Sequence, residues 1–222
     1  MSNQDRSNTT KKSTVYVALI TAIAIIIGSV ILGLGGQTTP QEPAPEAAPA
    51  VELPNAGITE SNKASITFTT NQGEIVIETT PAVAPLTVNA IAALAQKNYF
   101  DNTICHRLTT AGIYVLQCGD PTGTGTGGPG FNIPDENLPE AIENNYPAGT
   151  VAMANAGPGT SGSQFFLVYQ DTTLGPDYTI WGSVTSGLDI LQTIASAGVV
   201  DGGTDGAPLT GVTIESTKVT IS

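Results

Sequence analysis

Histidine occurs once in this chain, at His106, tryptophan once, at Trp181, and cysteine twice, at Cys105 and Cys118. One imidazole and two thiols fall short of the four-ligand set of a structural zinc site, so no metal is expected. Cys105 and His106 are also sequence neighbours, which on a strand project to opposite faces, and this argues against a thiolate–imidazole pair. Ser163 in GSQFF has no second histidine to serve as its base, and a Gly-x-Ser-x-Gly elbow is absent. Basic residues are scarce too, 7 against 19 acidic for a formal charge of -12, leaving little to neutralise phosphates and weighing against nucleic acid. The glycine tract PTGTGTGGPGF, residues 121–131, contains no lysine and continues into proline and glycine rather than a helix, so it does not read as a phosphate cradle. Asp135, Glu136, Glu140 and Glu143 read as a solvated loop and short helix, not an acid cluster. No cofactor is expected.

Long apolar runs are also few, but one stands out. VYVALITAIAIIIGSVILGLGG, residues 15–36, carries no charge and has about the length needed to cross a ~30 Å hydrocarbon core as a helix. Arg6, Lys11 and Lys12 precede it and the next basic residue is Lys63, a bias that keeps residues 1–14 in the cytoplasm and exports the remainder. The run exceeds the usual ~7–15-residue core of a signal peptide, which favours a retained membrane anchor over a cleaved leader. Residues 37–63 hold five prolines and no apolar period and read as a flexible linker. One folded domain is expected over 64–222, with Lys97, Arg107 and Lys218 as its basic residues.

Within that domain, SITFTTN and EIVIETT, residues 65–71 and 74–80, alternate apolar and polar side chains around Gln72-Gly73 and predict a hairpin. Val88, Ile91, Leu94 and Ala95 share one face of a helix predicted over 86–97, and Leu188, Leu191, Ile194 and Ala195 one over 188–197, ended by Gly198. Short β-rich runs fill the rest. About eight strands and two helices suggest a mainly β domain, an antiparallel barrel closed at its ends by helices. With nucleophiles and metals set aside, an arginine, amides and apolar groups remain, a set suited to a reaction that breaks no covalent bond. Rotation about an X-Pro peptide bond is such a reaction, slowed by a resonance barrier of ~18–20 kcal/mol.

The residues HR in CHRL, LQCGDPTGTGTGGPGF, IPDENL and above all MANAGPGTSGSQFFLVY at 153–169 resemble the cyclophilin family of peptidyl-prolyl cis-trans isomerases, in particular its membrane-anchored bacterial members. The resemblance covers about residues 65–222. It implies a closed eight-stranded antiparallel barrel capped by two helices, with the site on the outer face. It places the catalytic arginine at Arg107 and its glutamine partner at Gln117. Tyr114 and Val115, Phe166 and Leu174 would seat the proline ring. Ala154, Asn155 and Gln164 would hold the peptide, and Tyr178 stands where histidine is common. Arg107 would hydrogen-bond to the prolyl nitrogen as it becomes pyramidal, weakening amide resonance in the transition state.

The pattern is not followed throughout. Two extra residues, within TTAGI, separate Arg107 from Gln117, and Tyr114 and Val115 replace the more common phenylalanine and methionine. Thr173 stands where a tryptophan contacts cyclosporin, so weak cyclosporin binding is expected, while Trp181 in TIWGSV reads as core. The implied partners are proline-containing polypeptides, bound by a monomer that assists the folding of exported proteins outside the cell membrane. A binding or chaperone module that isomerises poorly is the alternative. An exported domain with two cysteines favours a Cys105–Cys118 disulfide, whereas strict alternation from Arg107 and Gln117 puts the two thiols on opposite faces. Sequence leaves that pairing open, and it leaves His106 as a structural strand residue.

Overall fold

The computed structural model describes residues 52–222. The expected membrane anchor over 15–36, the tail before it and most of the linker lie outside these residues. Among the described residues no helix is long and apolar enough to cross a membrane.

The chain opens with β1 (Ala64–Thr70) and β2 (Gly73–Thr79), which pair from Ser65↔Glu78 to Thr70↔Gly73. The turn is therefore Asn71-Gln72, one residue earlier than alternation alone predicts. Gly73 opens β2 at φ +126°, and a Cβ there would press on the Ile190 side chain. Then come α1 (Pro85–Gln96), β3 (Thr103–Ile104), β4 (Arg107–Thr109), β5 (Val115–Cys118), β6 (Thr150–Met153), β7 (Phe165–Val168), β8 (Ile180–Ser186), α2 (Leu188–Ala197), β9 (Asp205–Gly206) and β10 (Thr213–Ile221). Both helices fall within a residue of their predicted bounds because their signals are local: proline at the first turn of α1, and Gly198 at φ +86° closing α2. The short helix expected with the loop carrying Asp135, Glu136, Glu140 and Glu143 does not form: residues 141–142 are bends and 143–144 a turn.

The strands make one antiparallel sheet in the order β3-β10-β1-β2-β8-β6-β7-β5-β4-β9. The fold is thus mainly β with two helices, but it is an open, curled sheet and not the closed eight-stranded barrel expected. The edge strands β3 and β9 have two residues each and no ladder joins them among the described residues. The curl is completed by the chain, since β3 at one edge is only Cys105-His106 away from β4, next to the other edge.

The sheet's two faces carry separate apolar clusters. The inner one contains Ile66, Phe68, Ile75, Ile77, Leu108, Leu116, Cys118, Met153, Phe165, Leu167 and Trp181, with α1 supplying Val88, Ile91 and Leu94 and α2 supplying Leu191 and Ile194. Trp181 is fully buried there, as expected, with its ring edge-on to Phe165. The outer cluster is smaller: Val115, Tyr146, Ala152, Phe166 and Val168, with Ile113, Ala154, Leu174, Tyr178 and Ile180 packed against it. Residues 115 and 116, 152 and 153, and 165 and 166 divide between the two, as a period of two requires.

The last part of the expected linker is seated on the domain. Ile58 is buried, Leu53 and Ala56 pack on the inner cluster, and Asn89 of α1 accepts from the Ile58 amide (2.9 Å) and donates to its carbonyl (2.7 Å). Proline content hid this contact, because its partner is a helix 31 residues away.

Candidate active site

Arg107 stands on β4 directly opposite Gln117 on β5, and Gln117 is opposite Phe166 on β7. Pairing thus brings three distant stretches side by side on the outer face. Arg107 Nη1 donates to Gln117 Oε1 (3.2 Å), and Gln117 Nε2 donates to Gln164 Oε1 (2.9 Å). Gln164 Nε2 in turn donates to the carbonyls of Gly125 (3.0 Å) and Gly127 (2.9 Å). On its other side Arg107 meets Asp205 of β9, with Nε to Oδ1 and Nη2 to Oδ2 both at 2.8 Å. These charged hydrogen bonds hold the Asp205 carboxyl below its usual value and raise that of the guanidinium.

Beside this row lies a cleft of about 190 Å³ lined by Arg107, Ile113, Val115, Gln117, Ala154, Asn155, Phe166, Leu174 and Tyr178. Its floor is the outer cluster, with the Phe166 and Tyr178 rings edge to face at 5.5 Å. A wider groove of about 830 Å³ adjoins it along the glycine tract, sharing Gln117, Ala154 and Asn155 and lined in addition by Gln164. Asn155 Nδ2 donates to the Asp177 carbonyl (2.8 Å), tying the end of β6 to the segment that carries Tyr178.

Of the residues singled out by sequence, Arg107, Val115, Gln117, Ala154, Asn155, Phe166, Leu174 and Tyr178 line the cleft, and Gln164 anchors it from the groove. Tyr114 does not line it. Counting back from Gln117, the cleft face takes Val115 and Ile113, and Tyr114 points the other way. It packs on the inner cluster, edge to face with Tyr169 at 6.0 Å. Ile113 fills the place expected for Tyr114, and the period of two around Gln117 is the signal that could have found it. Asp205 was missed as well, since nothing local marks it. Thr173 Oγ1 accepts from the Asn144 amide (2.8 Å).

Cys105 and Cys118 form a disulfide, and both are buried in the inner cluster. The alternation argument against it fails because Cys105 and Arg107 do not share a strand: β3 ends at Ile104, and Cys105 donates its amide to the Val212 carbonyl (3.0 Å) before β4 begins. His106 likewise lies between strands, not within one. Its ring nitrogens are buried without hydrogen-bond partners, and burial lowers its pKa from 6.5, against an opposing pull from Asp120.

The glycine tract does cradle an anion, but an internal one. The buried Asp120 carboxylate accepts from the amides of Thr122 (2.7 Å), Gly125 (2.7 Å) and Gly127 (3.0 Å) and from the Thr122 hydroxyl (2.8 Å). Burial alone would raise its pKa, yet these bonds hold it well below the usual carboxylate range. A Cβ at Gly127 would collide with that carboxylate. Glu136 is not a free solvated acid either. It accepts from the amides of Leu86 (3.1 Å) and Thr87 (2.8 Å), satisfying donors at the start of α1. Ser163 is buried and donates to the Gly119 carbonyl (2.7 Å), a structural bond.

A family model described as "Cyclophilin type peptidyl-prolyl cis-trans isomerase/CLD" matches residues 65–219. A probable peptidyl-prolyl cis-trans isomerase B of Mycobacterium leprae is 45% identical over 201 residues, 85% of this chain and 68% of the relative. The protein of the same description from Mycobacterium tuberculosis is 46% identical over 188 residues, 78% and 61% of the two chains, so this chain spans under two thirds of that relative's length. Among solved structures, a cyclophilin type isomerase of Cryptosporidium parvum superposes with a TM-score of 0.62 at 30% identity, covering 71% of this chain and 98% of that one. The same protein crystallised in the presence of the dipeptide Ala-Pro gives 0.61 at 30% identity, covering 70% and 98%.

Proposed function

The chain belongs to the cyclophilin type peptidyl-prolyl cis-trans isomerase family, and from that membership we propose that its outer-face cleft accelerates rotation about X-Pro bonds in polypeptides. The observation that carries this reading is the placement of one guanidinium, Arg107, at the rim of an apolar seat formed by Ile113, Val115, Phe166 and Leu174. The seat takes the proline ring and excludes water from it. Asn155 and neighbouring backbone hold the preceding residue, so one side of the amide stays fixed while the other turns. As the prolyl nitrogen becomes pyramidal its lone pair gains an N–H donor from Arg107, a bond that is absent in the planar ground state and therefore lowers the barrier. No nucleophile, metal or cofactor enters the scheme.

The relative crystallised with Ala-Pro supports proline peptides as substrates. The charge-free run at 15–36 and the basic residues before it support a membrane-tethered domain acting on exported proteins outside the cell membrane. Thr173, in place of the tryptophan expected to contact cyclosporin, supports weak binding of that drug. The test is Arg107→Ala in the full chain: kcat/KM on an X-Pro peptide falls about 10²–10³-fold, the scale of losing one preorganised donor. Full activity in that variant would overturn the mechanism.

A further inference from the structure

The acid that faces the catalytic guanidinium comes from the far edge of the sheet. Asp205 is 98 residues from Arg107 in sequence, and β9 carries it into place by pairing Thr109↔Asp205 and Leu108↔Gly206 with β4. Thr109 and Arg107 share a face of β4, so Arg107 and Asp205 are diagonal neighbours across the ladder, within reach of a long side chain. The contact is bidentate, using Nε and one Nη2 hydrogen, the fork that Arg presents to carboxylates. It is the one ion pair among the described residues. The β9 ladder does not depend on this side chain, since the Thr110 amide donates to the Thr204 carbonyl at 2.8 Å.

We propose that Asp205 is a positioning residue for the isomerase reaction: it grips one edge of the Arg107 guanidinium, so that the Nη1 edge, shared with Gln117, is presented to the prolyl nitrogen. This rests on the assignment of Arg107 made above. A free arginine samples many rotamers, and only a few direct an N–H into the cleft. Gripped from β9 by Asp205 and from β5 by Gln117, the guanidinium plane is fixed by two strands before substrate arrives. Both carboxylate oxygens are committed to Arg107, so Asp205 contributes orientation and no contact with the proline ring.

The experiment compares the full chain with Asp205→Asn, Asp205→Glu and Arg107→Ala, measuring kcat and KM for an X-Pro peptide together with the Arg107 Nε–H resonance. That resonance is tractable because Arg6 is the only other arginine. Asp205→Asn keeps the shape but loses the second acceptor; kcat falls about tenfold with KM unchanged, a loss of orientation rather than of binding, and the slowly exchanging Nε–H signal disappears. Asp205→Glu, which keeps the carboxylate, recovers more activity than Asp205→Asn. Wild-type or raised kcat in Asp205→Asn, beside an inactive Arg107→Ala, would overturn the positioning role and leave the isomerase reading standing. An inactive wild-type chain, or a fully active Arg107→Ala, would remove the reading on which the role depends.

Discussion

Arg107 is held by its neighbours Asp205 and Gln117, and the residues around it divide sharply by the face they occupy. Ile113 and Tyr114 are adjacent, yet one lines the cleft and the other packs on the inner cluster. Ile113→Ala therefore weakens substrate, raising KM about five- to tenfold, the scale of a few methylenes of apolar contact, with little change in kcat. Tyr114→Ala does the reverse: it removes the contact with Tyr169 and lowers unfolding free energy by roughly 1–3 kcal/mol, read by urea denaturation, while the folded fraction keeps its kcat. His106 supplies a pH-dependent component of stability. Burial disfavours its imidazolium, so the unfolded chain binds this proton more readily than the folded one. Stability then declines as pH falls below 6.5, and the decline from this group ends once pH has passed the lower folded value. The single histidine makes the check direct: its ring proton shifts titrate below 6.5, and His106→Gln flattens that part of the thermal-stability profile.

At the scale of elements, the hairpin and both helices are legible in the sequence because each is carried by a local period, whereas the membership of Arg107, Gln117 and Phe166 in one site is legible only through the family resemblance of the three stretches that hold them. Asp205, the seating of residues 53–63 and the open sheet are not, because each depends on pairing between stretches far apart. The Cys105–Cys118 bond is an intermediate case: composition pointed toward it, and alternation pointed away only because β3 and β4 read as one strand. The disulfide closes a short loop under the strands that carry Arg107 and Gln117. Changing both cysteines to serine costs about 2–4 kcal/mol of stability, and in the untreated protein both thiols resist alkylation until reduction. Glu136 offers a second check on element assembly. Its carboxylate satisfies the first turn of α1 from 49 residues away, so Glu136→Ala lowers stability by about 1 kcal/mol, as other lost helix caps do, without altering isomerase activity.

Across the whole molecule the sheet separates stability from function. The inner cluster with both helices holds the fold, while the outer face holds a smaller cluster and a row of hydrogen bonds. That row runs from Asp205 through Arg107, Gln117 and Gln164 to the glycine tract, whose own amides are held by Asp120. The environment proposed for a twisted amide is thus assembled from β9, β4, β5, β7 and one loop. The most direct measurement is exchange spectroscopy on an X-Pro peptide with a catalytic amount of the full chain. Cross-peaks between the cis and trans proline signals that appear with the wild-type chain and vanish with Arg107→Ala are the predicted result. Peptide shifts that report binding while cis and trans signals fail to exchange would contradict it.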